Sequence, residues 1–130
     1  FGDDIGRASA LKMCFAAYFK GMTALMCATV AAAEGMGVRS VLEKHWSRNG
    51  SDFAQKTLKQ VRQVTQKAWR FSGEMDEIAS TFEATGVPGG FHLTAGEIFD
   101  RIAKFKGTDP IPPIEDVLGA LLGSDKTPPG

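Results

Sequence analysis

One stretch constrains this chain more than any other. From Ala8 to Ala33 the residues are almost all apolar or small, and the only charges are Lys12 and Lys20. A run of Ala, Leu, Met and Phe of that length predicts a single long helix, from Ala8 to about Gly35, where Gly35-Met36-Gly37 stops it. Its apolar residues occupy nearly every side, so the helix is expected at the centre of the domain with neighbours all round. Two ammonium groups are conspicuous in that setting. A buried ammonium is costly unless it is paired or reaches water along its own stem. A desolvated lysine also suits proton transfer. Lys12 and Lys20 stand eight residues apart, about 80° around a helix, so both can face one cleft and attract an anion. The plain alternative is that both side chains snorkel to the helix edge.

The helix does not read as a membrane span. Lys12 and Lys20 interrupt it, and the uncharged run from Gly21 to Ala33 is shorter than the ~20 residues a span requires. No signal peptide opens the chain. The start Phe1-Gly2-Asp3-Asp4, without Met, is the pattern expected of a fragment or a processed product. Cys14 and Cys27 on one helix would lie about 20 Å apart, too far for a disulfide. Two buried free thiols suit a reducing, cytoplasmic setting.

Downstream, the punctuation predicts a series of shorter helices. Phe1 to Gly6 reads as a strand end or loop. Ser40-Val41-Leu42-Glu43 fits a capping box that starts a helix reaching Trp46. After Asn49-Gly50, Ser51 or Asp52 caps a helix that runs to about Phe71. Its buried face is Ala54, Leu58, Val61, Thr65 and Ala68. Ser72-Gly73 reads as a break, and Glu74 to Ala84 as a helix burying Met75, Ile78, Ala79 and Phe82. Thr85-Gly86-Val87-Pro88-Gly89-Gly90 is the strongest turn signal. Thr94-Ala95-Gly96-Glu97 fits a second capping box, for a helix carrying Ile98, Ile102 and Phe105 and closed by Gly107. A last helix spans about Pro113 to Leu122. No segment alternates with the period of a strand. The expected class is all-α: one domain of about six helices over residues 1–123, then a tail from 124 to 130.

Composition excludes little but is consistent with a soluble core-forming domain: 130 residues, 43% hydrophobic, net charge zero. Lys56, Lys59, Arg62, Lys67 and Arg70 form a basic run with no acid between Phe53 and Gly73. No aromatic residues interleave along it, so a solvated face or a partner contact is favoured over nucleic acid. No metal-ligand spacing links His45, His92 and the acids. His92 follows the Gly89-Gly90-Phe91 turn, a position where either packing or function would fit. No dinucleotide fingerprint occurs, because Gly35-Met36-Gly37 follows a helix rather than a strand.

Several segments together resemble the C-terminal domain of β-hydroxyacid dehydrogenases, the superfamily that includes 6-phosphogluconate dehydrogenase and 3-hydroxyisobutyrate dehydrogenase. They are Ser9-Ala10-Leu11-Lys12-Met13-Cys14, Gly73-Glu74-Met75-Asp76-Glu77-Ile78-Ala79, Thr85-Gly86-Val87-Pro88 and Gly90-Phe91-His92. The likeness is greatest to a branch of phosphogluconate dehydrogenase-like, NAD-binding proteins. It implies a two-domain oxidoreductase in which an N-terminal Rossmann domain, outside this chain, binds NAD or NADP. The helical domain would then shape the pocket for a small anionic substrate, such as a hydroxy acid, and would form a homodimer. The resemblance makes Lys12 the general acid/base, desolvated by Ala8, Leu11 and Phe15, with Lys20, Glu74 and His92 as substrate-binding candidates. Two positions depart from the family pattern: Ala16 stands where many members have asparagine, and Gly73-Glu74 where many have Lys-Asp. A helical dimerisation module without chemistry is the competing expectation.

Overall fold

A computed structural model of the chain describes residues 4–123, which form six α-helices and no strand. The first, α1 (Asp4–Gly35), is 32 residues long. It is followed by α2 (Arg39–Trp46), α3 (Phe53–Val64), α4 (Ala68–Thr85), α5 (Gly90–Ile102) and α6 (Ile114–Leu121). Short 3₁₀ turns at Arg48–Gly50 and Ala103–Phe105 complete the path. The expected all-α class is what the chain adopts. Helix α1 begins earlier than its composition predicts, because residues 4–6 already belong to it. The expectations for residues 1–3 and for the tail from 124 onward lie outside the described residues.

Helix α1 is central only over its second half. Cys27, Val30 and Ala31 are buried, with Thr23 and Ala24 one turn earlier. Against this half pack α3, α5 and α6, with α2 and α4 at the margins. Ahead of Ala17 no residue of α1 is fully buried, and Ile5, Leu11 and Phe15 are exposed. The helix is also long and apolar enough, by length and composition alone, to cross a bilayer. Here 33% of that apolar stretch is buried inside the fold.

The other helices end where packing, rather than capping motifs, dictates. Neither expected capping box forms. Helix α2 starts at Arg39, whose guanidinium binds Glu34 at 2.8 Å and Glu43 at 2.8 Å and lies 3.6 Å from Glu115. Glu34 foremost, and Glu43 with it, hold Arg39 protonated above its ordinary range. Helix α5 starts at Gly90, four residues before Thr94, and so brings Phe91 and His92 onto α1.

The break expected at Ser72-Gly73 falls instead at residues 65–67. There the Thr65 hydroxyl donates to Arg62 O at 2.6 Å, and the Gln66 amide reaches Phe105 O at 3.0 Å and Thr108 Oγ1 at 3.2 Å. Helix α4 continues through Gly73 because Phe71, Met75, Ile78 and Ala79 share one buried stripe at i, i+4, i+7 and i+8. Of the predicted buried face, Ala54 and Val61 are buried on α3 beside Thr57 and Val64; Leu58 is only partly buried, and Thr65 and Ala68 are buried beyond the end of α3.

Helices α4 and α5 make the most extensive helix pair. The turn between them closes on Gly86, which sits in the left-handed region at φ 96°, while Val87 N donates to Phe82 O. Gly89 approaches so closely that a Cβ there would lie 2.6 Å from Ala79 O. The core is completed by Phe71 edge-on to Phe99, with ring centroids 5.4 Å apart, and by Ile102, Val117 and Leu118. Arg62 holds the approach to α6 through Pro112 O and Ile111 O, and Arg101 caps the end of α6 through Leu121 O at 2.7 Å.

Candidate functional site

Of the four residues singled out by sequence, two meet. Lys20 on α1 donates to a carboxylate oxygen of Glu74 on α4, although 54 positions separate them. The Lys20 ammonium also stands 4.5 Å above the Phe71 ring, and Arg70 lies 4.0 Å from the second oxygen of Glu74. The Lys20 side chain is only 19% exposed, which a paired cation tolerates better than a free one. An incoming anion would therefore compete with Glu74 for Lys20.

Lys12 lies about 12 Å further out along the helix, at 1.5 Å per residue. It is exposed, and among the described residues it forms no ion pair. The desolvation expected from its neighbours is not present within the chain itself: Ala8 is exposed, Leu11 is 56% and Phe15 67% exposed. Leu11 and Phe15 are exposed like Lys12, whereas the adjacent Met13 turns inward and packs against the core.

Helical spacing aligns Lys12 with Phe19 and Thr23, which are seven and eleven residues further on. Those two residues open a cleft of about 240 Å³ against α3 and α4, where Gln60, Gln63, Lys67 and Phe71 form the opposite wall. Its polar floor is organised. Thr23 Oγ1 donates to Phe19 O at 2.9 Å and accepts from Gln60 Nε2 at 2.8 Å. Gln60 and Gln63 carry no motif and escaped the sequence reading. Lys67 was visible only as one member of the basic run. Three others of that run have local partners: Arg62 serves backbone carbonyls, Arg70 faces Glu74, and Lys56 lies 3.3 Å from Asp52.

His92 is in a different place. It is buried at 6% exposure, and its Nε2 sits 3.1 Å from Ala17 O on α1. The Phe82 and Phe91 rings meet the imidazole edge-on, at 4.8 and 5.1 Å. Gly21 lies beneath: a Cβ there would be 3.0 Å from Phe91 Cε2 and 3.2 Å from His92 Nε2. Gly21 is nine residues from Lys12, half a revolution round the helix. His92 and Lys12 thus face opposite sides of α1 within this chain. His92 instead lines a second, mostly apolar cleft of about 380 Å³ with Tyr18, Met22 and Leu25.

Both cysteines are free, but only Cys27 is buried as expected, and burial pushes its thiol up to about 12. Cys14 is exposed. Among the described residues no three His, Cys, Asp or Glu side chains gather as a metal site.

A family model described as a domain of unknown function (DUF1932) matches residues 33–103, a little over half the chain. The matched span contains Glu74 and His92 and stops short of Lys12 and Lys20. No curated protein and no solved structure matches the chain.

Proposed function

We propose that this chain, which belongs to the DUF1932 family, is the C-terminal substrate-binding and dimerisation domain of an NAD(P)-dependent oxidoreductase acting on a small hydroxy acid or related anionic substrate. The observation that carries the reading is the placement of Lys12. It stands unpaired in the middle of an uncovered apolar stretch of α1, beside Leu11, Phe15 and Phe19. A second body laid over that stretch would bury apolar surface and desolvate the ammonium in one step. A Rossmann domain bearing the cofactor is that body in this reading.

The chain's own residues do not fit a dinucleotide. Gly37 at φ 75° terminates α1, and no strand-turn-helix cradle is formed among the described residues. In this reading the cofactor is held by the other domain, where it would supply or accept hydride. Lys12 Nζ would take or return the hydroxyl proton of the substrate. The organised polar cleft of Gln60, Gln63 and Lys67, one to two turns beyond Phe19, offers hydrogen bonds and one cation for the remote end of an elongated substrate. Lys20 and Glu74 act as a pair at its edge.

The test uses the protein that carries this domain together with its dinucleotide-binding domain. Lys12→Ala should lower turnover by roughly 10²- to 10⁴-fold, the usual contribution of a positioned acid/base. In this chain by itself, where Lys12 is exposed and forms no ion pair among the described residues, the same substitution should leave the melting temperature nearly unchanged. Near-normal turnover in Lys12→Ala removes the catalytic assignment.

The alternative, a helical dimerisation or interaction module without chemistry, draws on the same exposed apolar side chains of α1, notably Leu11, Phe15, Tyr18 and Leu25. Cofactor-dependent turnover separates the two readings, since only the first predicts any.

A further inference from the structure

We propose that the cleft between α1 and the first turn of α5 binds a small, largely apolar molecule carrying one hydrogen-bond donor, such as a phenol or an alcohol, with His92 Nδ1 as the acceptor. The first ground is the state of the imidazole. A carbonyl oxygen can only accept, so the 3.1 Å contact with Ala17 O places the hydrogen on Nε2. In the neutral ring Nδ1 is then a bare acceptor. It is buried and has no hydrogen-bond partner. An unpaired buried acceptor costs about 1–3 kcal/mol, a cost that a donor-bearing ligand would relieve. Ordered water is a poor substitute because it needs two to four polar partners, and the imidazole is flanked by the Phe82 and Phe91 rings.

The second ground is the shape of the site. Its volume of about 380 Å³ falls within the range of small-molecule clefts, roughly 300–1,000 Å³. Ala17 and Gly21, one turn apart on α1, give a shallow floor, and Met22, Leu25 and Phe82 give apolar walls. The absent side chain at Gly21 is what lets the imidazole sit against the helix at all. Phe91 forms the outer wall: it is 56% exposed, and its ring centroid stands 5.1 Å from that of the imidazole. The site faces away from Lys12 and does not depend on the oxidoreductase reading.

The experiment compares phenol with toluene, which match in shape and differ in the donor, on the full chain with nitrogen-15-labelled histidine. Phenol should bind about tenfold more tightly than toluene, the order expected for one buried hydrogen bond. The His92 Nδ1 resonance should move toward a hydrogen-bonded value on phenol addition alone. His92→Phe should erase the preference. Should that variant fail to fold, Leu25→Trp fills the cleft from a half-exposed position and should abolish binding of both probes. Equal affinity for the two probes overturns the proposal. So does an Nδ1 resonance already hydrogen-bonded without phenol, or a second copy of the chain that covers Tyr18 and excludes phenol.

Discussion

Two helical glycines, Gly21 and Gly73, should respond in opposite senses to the same substitution. Intrinsic propensity is equal for both: alanine in a helix interior is favoured over glycine by about 0.8–1.0 kcal/mol. At Gly73 a Cβ meets nothing within 4 Å, so Gly73→Ala should keep most of that gain. At Gly21 the same atom arrives 3.0 Å from Phe91 Cε2 and 3.2 Å from His92 Nε2. Phe91 is half exposed and can yield. The imidazole cannot yield without lengthening its bond to Ala17 O. Losing that bond and leaving its buried donor unpaired costs about 1–3 kcal/mol, so Gly21→Ala should be destabilising by up to ~2 kcal/mol net. For a domain of this size that is a fall of up to about 8 °C in melting temperature, against a rise of about 2–4 °C for Gly73→Ala. Calorimetry on the two single variants decides the matter. If Gly21→Ala stabilises as much as Gly73→Ala, α5 does not rest on α1 through His92. Adding Phe91→Ala to Gly21→Ala should recover only a small part of the loss, since the imidazole is the rigid obstacle.

Other consequences are equally direct. Phe99 is fully buried and packed edge-on against Phe71, so Phe99→Ala should cost about 3–5 kcal/mol in chemical denaturation, and a cost below ~1 kcal/mol would mean the site collapses around the gap. Gly89→Ala forces a Cβ against the Ala79 carbonyl at 2.6 Å, and the backbone must move; we expect a loss above about 2 kcal/mol, and a silent substitution would refute the tight α4–α5 turn. In native protein at pH 8 a thiol reagent should modify Cys14 and spare Cys27, with both reacting in denaturant. Cys27 ionises at its ordinary 9.0 when unfolded but near 12 when folded, so it contributes a loss of stability as pH rises between those values, a loss that Cys27→Ala should remove.

Some of this protein could be read in its residues. The apolar run after Ala8 could only be one long helix, because nothing before Gly35 breaks it. Most of the two predicted stripes is buried, namely Ala54, Val61, Thr65 and Ala68 and then Met75, Ile78 and Ala79, whereas Leu58 and Phe82 are only partly buried. The turn at 85–90 was equally plain, since left-handed backbone at Gly86 needs a residue without a Cβ. Helix ends were less legible. Ser40 and Thr94 match capping boxes, yet α2 and α5 begin before them, because Arg39 gains three carboxylate neighbours and Phe91 and His92 gain a seat on α1. Such gains come from residues distant in sequence, and no local pattern reports them.

The same division runs through the candidate site. Sequence alone determined which residues stand out: a lysine in an apolar helix, a second eight residues on, and a histidine after a glycine turn. Only the tertiary structure decided what each can do. It paired Lys20 with Glu74 across 54 positions, left Lys12 exposed on an uncovered stretch, and turned His92 to the far side of α1 with one nitrogen unpartnered. The reason is physical. Periodicity fixes the direction in which a side chain leaves its own helix, but burial, charge pairing and hydrogen bonding depend on which other helix arrives there.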